Sequence, residues 1–207
     1  MSYEKYLSTG MHIGTKQITE KMKPFVYKRR EDGLAIIDLA TIEQRIKIAA
    51  NFLAGKKNII ILTRKPTAFK AIEKFAEAVS CKAITGRFLA GTITNPNVKN
   101  YYEPDAIIVI DPLIDKQAIK EAEAVRVPVV AFVDTNNEID KIDLIVPINN
   151  KGRKSIAMAL YLLALEILLA RKAIKSASEF PYKPEDFEGR EEVAEETKRE
   201  KKKSKKR

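Results

Sequence analysis

Asp111 and Asp134 each stand at the end of an unbroken apolar run, Ala106-Ile107-Ile108-Val109-Ile110 and Val129-Val130-Ala131-Phe132-Val133. If those runs are parallel strands, both carboxylates fall at strand carboxyl ends, where open α/β sheets collect ligands. Two carboxylates there could hold a magnesium ion for phosphotransfer, with Arg64, Lys65 and Arg87 clamping the phosphate. The plainer use of the same residue types is to form turns, cap helices and pair with nearby cations, and it is the preferred reading. Gly86 to Gly91 has the spacing of a phosphate-binding loop, but Thr92 stands where that motif needs lysine. His12 lies between Gly10 and Gly14 with no recognisable nucleophile context, so it reads as a packed or hydrogen-bonded structural residue. No catalytic residue, metal ligand, cofactor or small-molecule substrate is expected.

Features suited to nucleic acid are more numerous. Lys16, Lys21, Lys23, Lys28, Arg29 and Arg30 surround Phe25 and Tyr27 in what reads as an irregular arm ahead of the first strand. Cations neutralise phosphates and aromatic faces stack on splayed bases or sugars, which is how RNA without a readable major groove is held. The competing use of the aromatics is as core, and the arm is read with core aromatics and RNA-facing cations. Lys99, with Asn97, Asn100, Tyr101 and Tyr102, extends the glycine-punctuated loop. Lys151, Arg153 and Lys154 open a long apolar segment, where a helix dipole would also favour an anion. Arg64, Lys65 and Arg87 complete the candidate RNA-binding set.

Charge is unevenly placed. The chain of 207 residues carries a formal net charge of +10, of which Lys198 to Arg207 contributes +7. Any RNA surface on the folded part must therefore come from local clusters. That terminal run is too polar to fold alone. The lone cysteine, Cys81, excludes an internal disulfide, and one His with one Cys cannot make a usual structural zinc site. The first residues lack the apolar stretch of a secretory signal, and Ile156 to Leu165 is too short to span a bilayer. A cytoplasmic chain with no membrane partner is expected.

Several elements must position these residues. Leu34-Ala35-Ile36-Ile37, Ile59-Ile60-Ile61-Leu62 and the short Ala83-Ile84 join the two runs above as strands, most of them apolar on both faces as in a covered parallel sheet. Helical spacing separates them. Ile42, Ile46, Ala49 and Leu53 follow a capping box of Thr41 and Gln44; Ala68, Ile72, Phe75 and Val79 follow Pro66; Ala118, Ala122 and Val125 follow Asp115, a candidate cap. Alternation of this kind predicts a three-layer α/β domain. Ser155 to Ala170 is apolar almost all round and is read as a core helix, with docking of another protein through Ile156 to Leu169 as the alternative. The expected organisation is one domain over 1–177 and a C-terminal extension over 178–207.

Longer blocks carry a resemblance. Tyr6-Leu7-Ser8-Thr9-Gly10-Met11-His12-Ile13-Gly14, Lys21-Met22-Lys23-Pro24-Phe25-Val26-Tyr27, Gly33 to Leu39, Ile84 to Pro96, Glu103 to Pro112 and Val127 to Asn136 resemble, in order, the family of protein two of the small ribosomal subunit. The resemblance implies a flavodoxin-like α/β/α fold with a mostly parallel sheet, an N-terminal arm and a charged tail. It also implies a structural, non-enzymatic role on the solvent side of the small subunit, between head and body. The partners it implies are small-subunit ribosomal RNA and neighbouring small-subunit proteins. Bacterial members insert a long helical hairpin for which this chain has no room, and that absence, with Phe180-Pro181-Tyr182, resembles the archaeal or eukaryotic branch. Phe88 stands where bacterial members have tryptophan.

Overall fold

The computed structural model describes residues 3–189. Along the chain run α1 (Tyr3–Thr9), β1 (Val26–Arg29), β2 (Ala35–Ile37), α2 (Leu39–Ala54), β3 (Ile59–Thr63), α3 (Phe69–Val79) and β4 (Lys82–Thr85). They continue with β5 (Ala106–Val109), α4 (Lys116–Val125), β6 (Val129–Val133), β7 (Leu144–Pro147), α5 (Arg153–Ala170) and α6 (Pro184–Glu188). Strands β3 to β7 form one fully parallel sheet in the order β4-β3-β5-β6-β7. Counted within that sheet the order is 2-1-3-4-5, the flavodoxin-like arrangement, whose strand order reverses between its first and third strands. Here that point lies between β3 and β5.

The alternation of side chains across the pleat explains the two cores. Ile59 and Ile61 of β3, Ala106 and Ile108 of β5 and Val130 and Phe132 of β6 face a layer made by α2, α3 and α5. Ile60, Leu62, Ile107, Val109, Val129 and Ala131 face α4, together with Met22 from the arm and Phe88 and Ile93 from the loop after β4. Three layers result. Helix α5 packs against both α2 and α3 and is covered by α1 and α6, so its buried residues include every one from Ser155 to Leu165. The core reading of that helix holds. Phe180 and Phe187 return to it and meet Tyr161 edge-on at 5.3 and 5.8 Å between ring centroids. Among the described residues no helix is long and apolar enough to cross a membrane.

Four expectations change. The run at Leu34–Ile37 is not part of the parallel sheet: β2 pairs antiparallel with β1, and residues 26–29 of the arm are therefore a strand rather than irregular chain. A turn closed by Arg30 and Leu34, with Gly33 at φ +85°, makes this hairpin; glycine reaches that conformation without a Cβ penalty. On the other edge of β2, the segment 12–15 adds backbone bonds from Gly14 to Ala35, from Ala35 to Thr15 and from Ile37 to His12. Strand β7 was not read from the sequence. Helix α2 starts earlier than its apolar spacing indicates, because Asp38, not Thr41, is its cap: the carboxylate accepts from the Thr41 N–H at 3.1 Å and its hydroxyl at 2.6 Å. Those bonds, the hydroxyl's first, hold the Asp38 carboxyl below the usual range. Asp115 occupies the cap position of α4 but makes no side-chain cap bond, its carboxylate being taken by the Arg64 N–H at 3.1 Å.

The end of the molecule opposite the strand carboxyl ends is held by one side chain. Arg171, just past α5, donates to Ala54 O at 3.3 Å, Val79 O at 3.0 Å and Lys56 O at 2.8 Å. These carbonyls lie at the carboxyl ends of α2 and α3, where backbone acceptors have no partner within the helix and the dipole favours a cation. The planar, forked guanidinium can serve three acceptors at once; a lysine ammonium has no such fork.

Candidate nucleic-acid interface

At the reversal point between β3 and β5, a buried polar network fills the place where a flavodoxin-like fold would seat a ligand. Asp111, two residues past β5, pairs through Oδ2 with Lys65, and its Oδ1 accepts from the Leu113 N–H and from Asn137 Nδ2, each at 3.0 Å. Lys65 also donates to Asn150 O at 2.9 Å. Asn150 is fully buried and its amide reaches Ile110 O, Phe132 O and Asn137 Oδ1 at 3.1 to 3.2 Å. The Asn137 Oδ1 accepts in turn from the Asp134 N–H at 2.8 Å. Asp111 is thus surrounded by donors on both oxygens.

Asp134 is 1 % exposed. Its Oδ1 accepts from the Thr135 N–H at 2.6 Å, and Lys151 Nζ stands 3.9 Å from its Oδ2. Burial raises its pKa against the pull of the Thr135 N–H and Lys151. Asp115 is likewise pushed up, to about 6, chiefly by burial. The two Asp residues of the phosphotransfer reading therefore face donors and cations of the same chain, in the arrangement of a folded-state network, and nothing supports that reading.

Lys65 belongs to this network and is mostly covered, with 14 % of its side chain exposed, so it is not a free phosphate clamp. Arg64 and Arg87 are exposed at the ends of β3 and β4, joined by the bond from Gly86 N–H to Thr63 O at 2.9 Å. Lys151, Arg153 and Lys154 are exposed at the start of α5, at the same edge of the sheet. The arm crosses that edge as well. Thr15 N–H donates to Thr135 Oγ1 at 2.9 Å, Thr19 N–H to Thr135 O at 2.9 Å, and Thr19 Oγ1 to Asn137 O at 3.1 Å. Gly14 is required there, since a Cβ would lie 2.6 Å from the Thr135 side chain. This contact brings the arm's cations to the strand carboxyl ends.

Lys16 is exposed with its stem beside Gly33 of the hairpin turn. Lys28, Arg29 and Arg30 are exposed on the hairpin, Arg30 lying 3.5 Å from Asp32. Lys21 and Lys23 are exposed but paired, with Asp140 and with Glu20. Lys99 stands apart. It is exposed on the loop between β4 and β5, which Glu121 of α4 holds by accepting from the Gly91 N–H at 2.9 Å. The structure thus brings Lys16, Lys28, Arg29 and Arg30 together, and Arg64, Arg87, Lys151, Arg153 and Lys154 onto one edge of the sheet. The terminal run from Lys198 lies outside the described residues.

The aromatics divide. Phe25 is half-buried under Arg45, whose guanidinium is 5.2 Å from the ring centroid, whereas Tyr27 is 72 % exposed, contrary to its reading as core. Phe88 is buried in the second core. Sequence reasoning missed Asn137 and Asn150, for which no spacing gives a signal; their position just past two adjacent strands is the one clue.

A family model described as Ribosomal protein S2 matches residues 6–103 and 96–169. The chain is 46 % identical over 187 residues to the small ribosomal subunit protein uS2 of Staphylothermus marinus, an alignment covering 89 % of this chain and 85 % of that protein. It is 45 % identical over 189 residues to the uS2 of Saccharolobus solfataricus, covering 90 % and 82 %. With the uS2 of Thermoplasma acidophilum the identity is 45 % over 187 residues, covering 89 % and 94 %.

Proposed function

The chain belongs to the ribosomal protein S2 family, and from that premise we propose that its exposed cations along the hairpin and the strand carboxyl ends bind small-subunit ribosomal RNA. Membership makes the chain a structural constituent of the small ribosomal subunit and not an enzyme. Association with ribosomal RNA and other ribosomal proteins follows from that role. What is proposed is the face that meets the RNA.

The observation that carries it is the division of labour between Lys65 and its neighbours. Lys65 is spent inside the fold on Asp111, while Lys16, Lys28 and Arg29 of the arm and hairpin and Arg64, Arg87, Arg153 and Lys154 at the strand carboxyl ends remain exposed. Dispersed Lys and Arg recognise backbone and shape rather than base sequence, which suits a protein that fixes a folded RNA. Lys99 is proposed as a separate contact from the loop after β4. Lys21 and Lys23, held by acidic partners, contribute less to the field on RNA.

Cleavage from a tethered reagent tests the face. Burial pushes the Cys81 thiol up to about 12, which keeps it a poor nucleophile at neutral pH, so an iron chelate can be attached to one introduced cysteine. With Arg29→Cys in assembled small subunits, strong local cleavage of the ribosomal RNA is expected. Lys172→Cys, at the far end of α5, is expected to give weak cleavage or none. Strong cleavage from position 172 alone would reverse the assignment.

A further inference from the structure

Strand β1 contains an irregularity at an exposed aromatic residue. Val26 pairs with Ile37 and Lys28 with Ile36, so two steps along β1 match one along β2 and Tyr27 is the extra residue. A bulge of this kind leaves its residue outside the ladder, can re-aim its side chain and is over-represented at sheet edges and next to active sites. Tyr27 and Lys28 both line the neighbouring groove, as do Ile36 and Ile37 of β2. The groove is open to solvent and measures about 510 Å³.

Its walls are of two kinds. Leu7, Ile36 and Leu39 are apolar, while Lys28 and Arg30, the latter also 3.5 Å from the exposed Asp32, bring positive charge to the rim beside the exposed Tyr27 ring. His12 also lines it, and its Nδ1 is buried with no hydrogen-bond partner among the described residues. Burial, with Arg30 nearby, lowers the His12 pKa and so disfavours the charged imidazolium. The one acid in the lining, Asp38, has its Oδ2 turned to the Thr41 N–H and hydroxyl as a helix cap.

An exposed flat ring, an apolar wall and two cations within one groove complement a nucleobase joined to a phosphate. We propose that this groove receives a single unstacked nucleotide of the bound RNA, the base lying on Tyr27 and its phosphate between Lys28 and Arg30. The inference rests on the RNA-binding reading of the same hairpin and adds to it a stacking site. A peptide segment of a neighbouring protein is the other occupant such a groove could take, but it supplies no reason for two cations flanking an aromatic face.

Binding of the full chain to a small-subunit ribosomal RNA transcript tests it. Tyr27→Ala is expected to weaken binding about tenfold with the salt dependence unchanged, because stacking is lost and no phosphate contact is. Tyr27→Phe, which keeps the ring, is expected to bind within about twofold of the parent chain. Circular dichroism confirms that each variant is folded. Equal affinity for the Tyr27→Ala variant would overturn the stacking site and leave the RNA-binding reading standing; absence of binding by the parent chain would remove both. A benzophenone side chain in place of Tyr27, irradiated in assembled subunits, is expected to crosslink to RNA. Crosslinking to a protein instead would also overturn the proposal.

Discussion

Lys65 Nζ and the Asp111 carboxylate meet where the strand order of the sheet reverses, with 14 % and 5 % of their side chains exposed. In a flavodoxin-like enzyme that crevice receives a ligand. Here it holds an internal ion pair, stitched by Asn137 and Asn150 to the backbone of the neighbouring strands. The fold keeps its architecture and gives up its usual binding crevice.

Breaking that pair one residue at a time is expected to be costly. Asp111→Ala leaves Lys65 without its counter-charge and should lower stability by roughly 3–5 kcal/mol, the usual scale for removing one partner of a covered pair. Replacing both at once, as Lys65→Met with Asp111→Leu, should cost much less than the sum of the single changes. Urea unfolding of the three variants and the parent measures this. Additive losses would show that the two side chains are not coupled.

Asp115 gives stability a pH dependence of predictable sign. Burial, opposed by the Arg64 N–H and the Thr63 hydroxyl, pushes its carboxyl up to about 6, so the folded chain keeps a proton that the unfolded chain releases near pH ~4. The folded state binds more protons in that window, and stability therefore falls as pH rises through it. The loss is at most about 3 kcal/mol and is complete above about pH 6. Asp115→Asn removes this contribution. Relative to the parent, the variant should gain stability between about pH 4 and pH 6 and hold a constant advantage at higher pH. Denaturation midpoints collected across that interval check it; an offset that does not change with pH would contradict it.

The parts of the fold that were legible in the sequence are those with a strong apolar signal. Continuous β-branched runs mark β3, β5 and β6 because both faces of those strands are buried. Strand β1 reads as a basic arm, since Tyr27, Lys28 and Arg29 are exposed and the strand exists through its hairpin pairing with β2 rather than through burial. Strand β7 ends at Pro147, and its Leu144 and Ile145 are only partly covered, so it lacks the length and the bounding signals of the others. Asp38 does not read as a cap, because apolar spacing places the start of α2 at Ile42, one turn inside the true terminus.

The candidate site divides in the same way. Clusters of Lys and Arg adjacent in sequence are legible as clusters, so Lys28-Arg29-Arg30 and Lys151 to Lys154 could be named directly. Whether a cation already has an acidic partner is not legible, because the partner is distant in sequence: Lys65 finds Asp111 inside the fold, and Lys21 finds Asp140 on the surface. Tyr27 is harder still. It is the residue at which the β1–β2 register shifts, and neither that shift nor its exposure is encoded in the residue types on β1.

The most direct measurement is the salt dependence of binding between the full chain and small-subunit ribosomal RNA. Each phosphate neutralised contributes roughly 0.7 to 0.9 to the slope of log affinity against log salt. Replacing Lys28, Arg29 and Arg30 together with glutamine should flatten that slope by about 2 to 3. The same change at Lys57, Lys172 and Lys175, exposed at the opposite end of the sheet, should leave it unaltered. An unchanged slope for the hairpin variant, with a flattened one for the control, would contradict the assignment of the RNA-binding face.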